Sequence, residues 1–427
     1  MTVAAPPEGG TSSRLAPFFT HPITLWGAFV LVHLGLGLLC LFAPGLPMGD
    51  VELYRWWVSR GTDAGLWVGI HTAWVYPVVA LVPMILAGAF GSLLYPSTWL
   101  SLVMIVNAAA FTVLLTRGRA AAPAAWWWMG FLTALGPIAL ARIDSVTVPV
   151  ALAGMLLLAT RPRIAAVLLT IAAWIKVWPA ALVAAAVVTL RSRLTILTTA
   201  VVTSGVIIVT ALILGSQGNV LSFITQQTGR GVQIESPIAT FWMWDAFRGR
   251  IGGSSLYYDQ PIMTYQLRGP GIDIAAGVMT PLLALAVAAL LVIAGIAIRR
   301  GIPVGEVLSP LVLAITTALI LFNKVGSPQF VGWLVVPIVF GLVAARSSGG
   351  PSFLVPSLMG LGIAALTQSF YPYLYGQLLS LRVDTLVALT ARNLLYIPLL
   401  VWAVWELCRP LVESRELVRT NRSVRLG

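Results

Sequence analysis

The chain alternates long apolar runs with short polar breaks, and this pattern predicts most of its secondary structure. A helix rises 1.5 Å per residue, so about 20 apolar residues cross the ~30 Å hydrocarbon core of a bilayer. Many of the runs have a comparable length. We therefore predict membrane helices at residues 23–44, 98–116, 122–141, 146–160, 164–175, 177–190, 194–214, 275–298, 307–323, 330–346, 354–369 and 385–407.

One further apolar stretch, from Val75 to Tyr95, does not fit a simple crossing. Pro77 and Pro83 interrupt it, and a proline inside a helix removes a hydrogen bond and breaks or kinks the helix. The predicted helices then cross the membrane in alternating directions most consistently if this segment enters the membrane and leaves it on the same side. The pattern as a whole predicts an all-α polytopic membrane protein with about 11 to 13 transmembrane helices.

Composition supports this class and excludes a soluble globular domain. Hydrophobic residues make up 59% of the chain and charged residues only 9%, whereas soluble domains carry about 25% charged residues. The formal net charge is +12, but the arginines lie in short clusters between apolar runs. We therefore expect no nucleic-acid partner, which would require a continuous basic face.

The arginine clusters set the predicted orientation, because basic residues accumulate on the cytoplasmic side of membrane proteins. The clusters lie at residues 117–119, 161–163, 191–193, 299–300, 346 and 409–425. Placing them inside predicts a cytoplasmic N-terminal tail at 1–22, a membrane domain at 23–407 and a basic cytoplasmic C-terminal tail at 408–427. The predicted outer loops are residues 45–75, 215–274, 323–329 and 370–384.

The N-terminal tail and the cysteines indicate neither a cleaved signal nor a metal site. The apolar run after the tail lacks a small-residue cleavage site, so we do not interpret it as a signal peptide. Cys40 and Cys408 lie inside or at the ends of apolar runs without metal-like spacing, which predicts neither a disulfide nor a zinc site. No Asp-x-Asp pair occurs, and we expect no metal and no cofactor.

In this topology, the residues with the most reactive side chains gather on the outer side. Asp50 and Glu52 follow the first apolar run, and carboxylates that close to a membrane face usually have a function. Asp50 is a candidate general base, and Glu52 is a second acid or an orienting partner. His71 is a candidate proton relay or a candidate contact to an acceptor substrate. Alternatively, it is simply a hydrogen-bonded loop histidine.

Lysine usage marks two further positions, because 24 of the 26 basic residues are arginine and the only lysines are Lys176 and Lys324. Lys324 lies in LFNKVGSPQF, where Asn323, Ser327 and backbone N–H groups could join it around one anion. Lys176 lies in AAWIKVWPAA, where Pro179 interrupts the helix and lets the ammonium reach the interface or a polar pocket. Alternatively, each lysine only snorkels to the interface.

The outer loop at 215–274 contains QQTGRGVQIESPIATFWMWDAFRGR, which is dense in amides, arginines and aromatic rings. Aromatic faces stack on the C–H faces of sugar rings, and amides pair with sugar hydroxyls. The tryptophans also fit an ordinary interfacial belt, but a belt does not need Gln226, Arg230, Gln233 and Glu235. These four residues are therefore candidates for binding a polar ligand.

Five short motifs, in their order along the chain, resemble a known family. They are Gly49-Asp50 with Tyr54, Arg142-Ile143-Asp144-Ser145, Trp174-Ile175-Lys176-Val177-Trp178-Pro179, Gly229-Arg230-Gly231 through Glu235-Ser236, and Asn323-Lys324-Val325-Gly326-Ser327-Pro328-Gln329. From about residue 25 to residue 405 the chain resembles the actinobacterial GT-C glycosyltransferases of family 87. These are mannosyltransferases that use a polyprenol-phosphate-mannose donor.

The resemblance implies a GT-C type fold in which outer-face loops form the active site. It implies inverting, metal-independent transfer of mannose from polyprenyl-phosphate-mannose to a glycolipid or lipoglycan acceptor, among membrane lipids on the outer face of the cytoplasmic membrane. Asp50 would act as the base. The implied donor-phosphate ligands are Lys324, Arg230, Asn323 and Ser327. The implied sugar and acceptor contacts are Tyr54, Gln233, Glu235, Gln329 and Lys176.

Other functions stay open beside this one. The residues do not distinguish a mannose donor from polyprenyl-phosphate-arabinose, which an arabinofuranosyltransferase would use. A transporter or flippase of envelope lipids predicts an internal repeat, whereas WIKVWP and FNKVGSPQ lie in unlike surroundings. A non-catalytic membrane subunit predicts no dependence on Asp50. A lipid donor also needs a groove between helices, because exposing its tail to water costs ~0.8 kcal/mol per CH₂, and the Val75–Tyr95 segment is a candidate wall.

Overall fold

The computed structural model describes residues 18–228, 230–260 and 262–424. Most of the predicted N-terminal tail at 1–22 therefore lies outside the described residues. Within the described ranges the chain is predominantly helical, with one short two-stranded sheet. The α-helices are α1 (Pro22–Phe42), α2 (Gly49–Ala64), α3 (Leu81–Ala87), α4 (Tyr95–Leu115), α5 (Ala122–Leu135), α6 (Asp144–Leu157), α7 (Pro162–Ile175), α8 (Ala180–Thr189), α9 (Arg193–Ile213), α10 (Ser222–Thr228), α11 (Thr240–Phe247), α12 (Ile272–Arg299), α13 (Val304–Leu321), α14 (Val335–Ser347), α15 (Leu354–Phe370), α16 (Tyr375–Leu379) and α17 (Val383–Val424).

Every apolar run that we predicted to be a membrane helix contains helix in the structure. Seven helical segments of the described chain are long and apolar enough to cross a bilayer, and they identify the protein as a helical membrane protein. These seven are Pro22–Phe42, Tyr95–Leu115, Arg193–Ile213, Ile272–Arg299, Val304–Leu321, Pro328–Ser347 and Val383–Glu413. Other apolar helices are shorter, so the predicted total of 11 to 13 crossings stays a prediction.

The helices form an interior set and a peripheral set. The helices differ in how much of their most apolar 18-residue stretch is buried inside the protein. The buried share is 72% in α13, but only 11% in α9 and 17% in α12. Helix α6 is buried along nearly its whole length and packs against α4, α7 and α14. A helix that is apolar all round is stable only inside a protein core or in lipid. The peripheral helices α9 and α12 therefore present their apolar side chains where a bilayer would cover them.

The predicted outer loop at 45–75 contains a helix that the sequence analysis missed. Helix α2 buries Val51, Tyr54 and Val58 on one face, at the spacing of an amphipathic helix. It ends at Gly65, whose φ of 70° gives the left-handed cap that glycine adopts easily. Asp50 therefore lies in the first turn of α2 and not at the end of the first membrane helix.

The Val75–Tyr95 segment does not cross as one helix. It forms a 3₁₀ turn at Val78–Ala80, continues as α3 to Ala87 and then turns toward α4. These ten helical residues span about 15 Å, half of the ~30 Å of a bilayer core. The Tyr95 hydroxyl donates to the Met84 carbonyl at 2.9 Å, which holds α3 against the start of α4.

The predicted loop at 215–274 contains a β-hairpin, which is a small addition to a predominantly helical fold. Strands β1 (Ser255–Asp259) and β2 (Thr264–Arg268) pair antiparallel, with Tyr257 opposite Gln266. Gln233 forms an additional bridge to Gln266. The hairpin therefore ties the middle of this loop to the segment that carries the predicted polar-ligand residues.

The predicted boundary between the membrane domain and the C-terminal tail, at residue 407, lies inside a continuous helix. Helix α17 runs without interruption from Val383 to Val424, although Pro398 and Pro410 lie inside it. The predicted loop at 370–384 also contains a short helix, α16. A change from apolar to basic composition marks a change of environment, but it does not by itself end a helix.

Candidate functional site

Two adjoining cavities lie beside the predicted outer loops. The polar cavity, of about 740 Å³, is lined by α2, the hairpin and the segments around residues 230–235 and 371–375. The apolar cavity, of about 530 Å³, is lined by the α7–α8 junction, α10, α12, the end of α13 and residues 322–333. Both volumes are in the range of small-ligand sites. The residues that line both cavities are Val75, Tyr76, Arg230, Ser327 and Gln329.

Asp50 lines the polar cavity and is held there by a buried arginine. Its Oδ2 lies 3.2 Å from Nε of Arg142, whose side chain is only 2% exposed. Arg142 also donates to the carbonyls of Pro47 and Ala141, both at 2.7 Å, and to the Tyr371 hydroxyl at 2.6 Å. Burial alone lowers the pKa of Arg142, but Asp50 and Tyr371 raise it overall. The guanidinium therefore stays charged and fixes the carboxylate of Asp50.

Three of the predicted site residues near Asp50 do not line either cavity. Glu52 forms an exposed ion pair with Arg55 at 2.5 Å. The ring of His71 accepts from the Trp67 N–H at 3.2 Å, as in the alternative interpretation of a hydrogen-bonded loop histidine. Tyr54 is fully buried, and its hydroxyl accepts from the Ile143 N–H at 3.1 Å. Tyr54 thus connects α2 to the backbone beside Arg142.

Two cations approach each other where the cavities meet. Arg230 lines both cavities and Lys324 lines the apolar one. Burial lowers the pKa of Lys324, and the charge of Arg230 lowers it further. Burial also lowers the pKa of Arg230. Two like charges in partly buried surroundings repel each other, so the site favours an anion that both can bind.

The loop that carries Lys324 is clamped against the segment that ends in Ser236. The Gln233 N–H donates to the Lys324 carbonyl at 3.0 Å, and the Ser327 hydroxyl is 3.4 Å from the Gln233 side-chain oxygen. A Cβ on Gly326 would lie 2.1 Å from the Ser236 backbone, so only glycine permits this approach. The predicted phosphate-binding and sugar-binding segments are therefore in direct contact.

Asn323 and Ser327 complete this loop in different ways. The Asn323 side chain accepts from the Val325 N–H at 2.9 Å and so shapes the turn. Asn323 lines the apolar cavity, while Ser327 lines both. The structure thus brings together all four residues that the resemblance assigns to the donor phosphate.

Glu235 supplies a second carboxyl group to the polar cavity. The Tyr375 hydroxyl donates to its Oε1 at 2.5 Å, and Arg392 donates to its backbone carbonyl at 2.9 Å. Glu235 is only 2% exposed, and burial raises its pKa. Asp50 is bound to a guanidinium and Glu235 to a neutral phenol, so the two carboxyls of this cavity differ in environment.

Lys176 lies in the wall of the apolar cavity and does not line the polar one. Its ammonium is 2.8 Å from Asp144 and 4.9 Å from the ring centre of Phe330. Asp144 also accepts from the Trp333 indole at 2.6 Å. This buried ion pair joins α6 to the α7–α8 junction, and it places a compensated positive charge at the edge of an apolar space.

Sequence reasoning missed the roles of Arg142, Tyr371 and Tyr375. A signal was present for Arg142, because an arginine on the predicted outer side departs from the positive-inside rule. The two tyrosines lie in the YPYLYG segment, where nothing in the local pattern distinguishes them from interfacial aromatics. Only the tertiary structure brings Tyr371 to Arg142 and Tyr375 to Glu235.

No protein-family model matches the chain, and a search of curated proteins finds no similar sequence. The fold and the site by themselves define a class. The chain is a helical membrane protein with a polar, carboxylate-lined cavity that adjoins an apolar cavity, and two cations lie where the cavities meet.

Proposed function

We propose that the protein is a GT-C type glycosyltransferase that moves a mannosyl residue from polyprenyl-phosphate-mannose to a glycolipid or lipoglycan acceptor. In this proposal the chain crosses the cytoplasmic membrane about 11 to 13 times, and the polar cavity faces the outside. The resemblance of the five motifs suggests the family and the sugar. The cavities supply independent physical support for a substrate that is part lipid, part phosphate and part sugar.

The observation that carries the proposal is the pairing of the two cavities around Arg230 and Lys324. A polyprenyl-phosphate sugar has an apolar tail, an anionic centre and a hydroxyl-rich head. The apolar cavity suits the tail, since burying apolar surface is favourable by about 25 cal/mol per Å². The two cations suit the phosphate, and the polar cavity suits the sugars, with Asp50 and Glu235 in its lining.

The proposed chemistry is a single displacement with inversion. An acceptor hydroxyl oxygen attacks the anomeric carbon of the donor, and the bond from that carbon to the phosphate oxygen breaks. The proton of the hydroxyl passes to the Asp50 carboxylate. The bonding electrons leave with the lipid phosphate, whose added negative charge Arg230 and Lys324 stabilise. The leaving group is already anionic, so no general acid is required for its departure.

The testing experiment measures transfer of radiolabelled mannose from polyprenyl-phosphate-mannose to endogenous lipids in membranes that contain the full-length protein. Asp50→Asn keeps the size of the side chain and removes its basicity, so we expect a loss of about 10²- to 10⁴-fold in rate. Asp63→Asn is the matched control, because Asp63 is an exposed carboxylate in the same helix. Asp63 accepts a hydrogen bond from the Thr62 hydroxyl. It should keep full activity.

Each outcome of this assay has a definite meaning. Equal transfer by wild type and Asp50→Asn, at equal protein levels, rejects Asp50 as the base. Absence of transfer by the wild type, together with transfer from polyprenyl-phosphate-arabinose in the same membranes, replaces mannose by arabinose as the donor sugar. Absence of transfer from either donor rejects the glycosyltransferase proposal.

A further inference from the structure

Arg142 contacts two groups that line the polar cavity. Its Nε lies 3.2 Å from Oδ2 of Asp50 in an ion pair, and its Nη2 donates to the Tyr371 hydroxyl at 2.6 Å. The guanidinium is planar and rigid. One buried side chain therefore positions both the Asp50 carboxylate and the Tyr371 hydroxyl at the same cavity.

The other Arg142 contacts keep the guanidinium in place. Nη1 donates to the carbonyls of Pro47 and Ala141, both at 2.7 Å. The guanidinium carbon lies 5.7 Å from the ring centre of Tyr371, and the Tyr371 ring meets the Tyr375 ring edge-on at 5.0 Å. Tyr371 is therefore oriented by a buried cation and by aromatic packing before any ligand enters.

The Tyr371 hydroxyl can still donate a hydrogen bond. It accepts one from Arg142, and it donates no hydrogen bond to another of the described residues. Burial raises the pKa of Tyr371, so the phenol keeps its proton at neutral pH. Donation from a guanidinium polarises the O–H bond and strengthens the hydroxyl as a donor. Tyr371 and Asp50 both line the polar cavity.

We infer that Tyr371 and Asp50 together bind two neighbouring hydroxyls of the acceptor sugar, one of which receives the transferred mannose. This inference rests on the proposed function. Asp50 takes the proton of the receiving hydroxyl, while Tyr371 donates a hydrogen bond to the oxygen of the adjacent hydroxyl and keeps its own proton. Tyr371 therefore sets which ring position faces the donor, and it makes an adjacent pair of hydroxyls a requirement of the acceptor.

The test uses purified full-length protein, polyprenyl-phosphate-mannose and octyl α-mannoside as the acceptor probe, together with its monodeoxy analogues. One analogue lacks the receiving hydroxyl and should give no product. We expect the wild type to discriminate about 10-fold in kcat/KM against the analogue that lacks the adjacent hydroxyl, since one hydrogen bond is lost. Tyr371→Phe should lower kcat/KM on the parent by about the same factor and should cause no further loss on that analogue.

A purely supporting role for Tyr371 predicts a different pattern. If it only orients Arg142, Tyr371→Phe slows transfer equally to the parent and to every analogue, and that result overturns the inference. A wild type that accepts all the other analogues as well as the parent also overturns it, and this arm needs no variant. Tyr95→Phe is the control, because it deletes a buried tyrosine hydroxyl bound to the Met84 carbonyl away from the cavity. It should match the wild type.

Failure of the proposed function remains distinguishable from failure of this inference. No transfer by the wild type to either octyl α-mannoside or endogenous lipids rejects the function. Transfer that is insensitive to the adjacent hydroxyl rejects only the role of Tyr371.

Discussion

At the scale of single residues, the site works through the different environments of a few charged groups. Asp50 is bound by Arg142, whereas Glu235 is buried against the Tyr375 hydroxyl and has a raised pKa. Lys324 is buried near Arg230 and has a lowered pKa. Pairs of groups whose pKa values are displaced in opposite directions are typical of sites that exchange protons and bind anions.

The contacts of Arg142 lead to a first prediction. Arg142→Lys keeps a positive charge but lacks the rigid planar guanidinium that contacts Asp50, Tyr371 and two backbone carbonyls at once. We expect kcat to fall by about 100-fold, because Asp50 loses its fixed orientation, and a 1 Å displacement of reacting groups costs about this factor. KM for the donor should change little, since Arg142 does not line the apolar cavity. A dominant rise in donor KM would contradict this assignment.

The cation pair leads to a prediction about affinity for the donor. Lys324→Met and Arg230→Met should each raise the donor KM by roughly 10- to 100-fold, which corresponds to the loss of a charge-assisted hydrogen bond of about 1.5–3 kcal/mol. The matched control is Arg268→Met on β2, which removes a cation that stacks on Tyr257 and does not line either cavity. Unchanged donor KM in both cavity variants would exclude them from phosphate binding.

The lowered pKa of Lys324 sets the expected pH dependence. Only the protonated ammonium attracts a phosphate, so donor affinity should fall as pH rises through a pKa below the ordinary value of about 10.4. Lys324→Arg keeps its charge at any accessible pH and should remove this alkaline fall. Profiles of kcat/KM against pH for the two proteins test this expectation, and identical alkaline limbs would assign the limb to another group.

At the scale of elements, the site depends on how closely loops and short helices approach each other. The chain at Gly326 touches the Ser236 backbone, and α2 carries Asp50 in its first turn. Gly326 and Ser236 are far apart in sequence, and so are Asp50 and its partner Arg142. The geometry of both contacts therefore follows from the helices that hold these segments in place.

Gly326→Ala tests the clamp between the two loops. The added Cβ would lie 2.1 Å from the Ser236 backbone, so the loop must move and shift Lys324 relative to Gln233. We expect a loss of activity of about 10- to 100-fold, as for a small displacement of a binding group. Gly218→Ala, where a Cβ would meet nothing within 4 Å, should leave activity unchanged. Equal activities of the two variants would show that the clamp is not required.

At the scale of the whole molecule, helices of fewer than 18 residues lie beside the site, with α6 largely buried and α7 and α8 partly buried. Helices α6, α7 and α8 have 14, 14 and 10 residues. The longer α9 and α12 lie at the periphery, where their apolar side chains are exposed. The Asp144–Lys176 ion pair joins α6 to the α7–α8 junction. It therefore helps to position the wall of the apolar cavity.

Removing one partner of this ion pair should destabilise the whole protein. Lys176→Met leaves the Asp144 carboxylate buried without its cation, at a cost of about 3–5 kcal/mol. The double variant Asp144→Asn/Lys176→Met should recover most of that loss, because it removes both charges and keeps an acceptor for the Trp333 indole. Thermal unfolding in detergent measures the effect.

An exposed ion pair on α2 supplies the control for this stability measurement. Arg55→Met removes the partner of Glu52, and both side chains are more than 40% exposed. Exposed pairs contribute about 0–1 kcal/mol, so the melting temperature should change little. A double variant at Asp144 and Lys176 that is no more stable than Lys176→Met would show that burial of the lone carboxylate is not the cause.

The sequence by itself determined the class of the protein and the locations of its helices, because the apolar periodicity and the arginine clusters are local signals. It also indicated Asp50, Arg230, Glu235 and Lys324, since charged residues are rare in so apolar a chain and therefore stand out. It did not reveal α2 or the hairpin, because both lie in segments that are polar enough to be predicted as loops.

Only the tertiary structure decided which of the indicated residues meet. It brings Asp50 and Tyr371 to Arg142, places Glu52 and His71 outside the lining of the cavities, and pairs Lys176 with Asp144. These contacts join segments up to 229 positions apart. Local pattern cannot specify them, because the packing of many helices jointly fixes where each connecting segment lies.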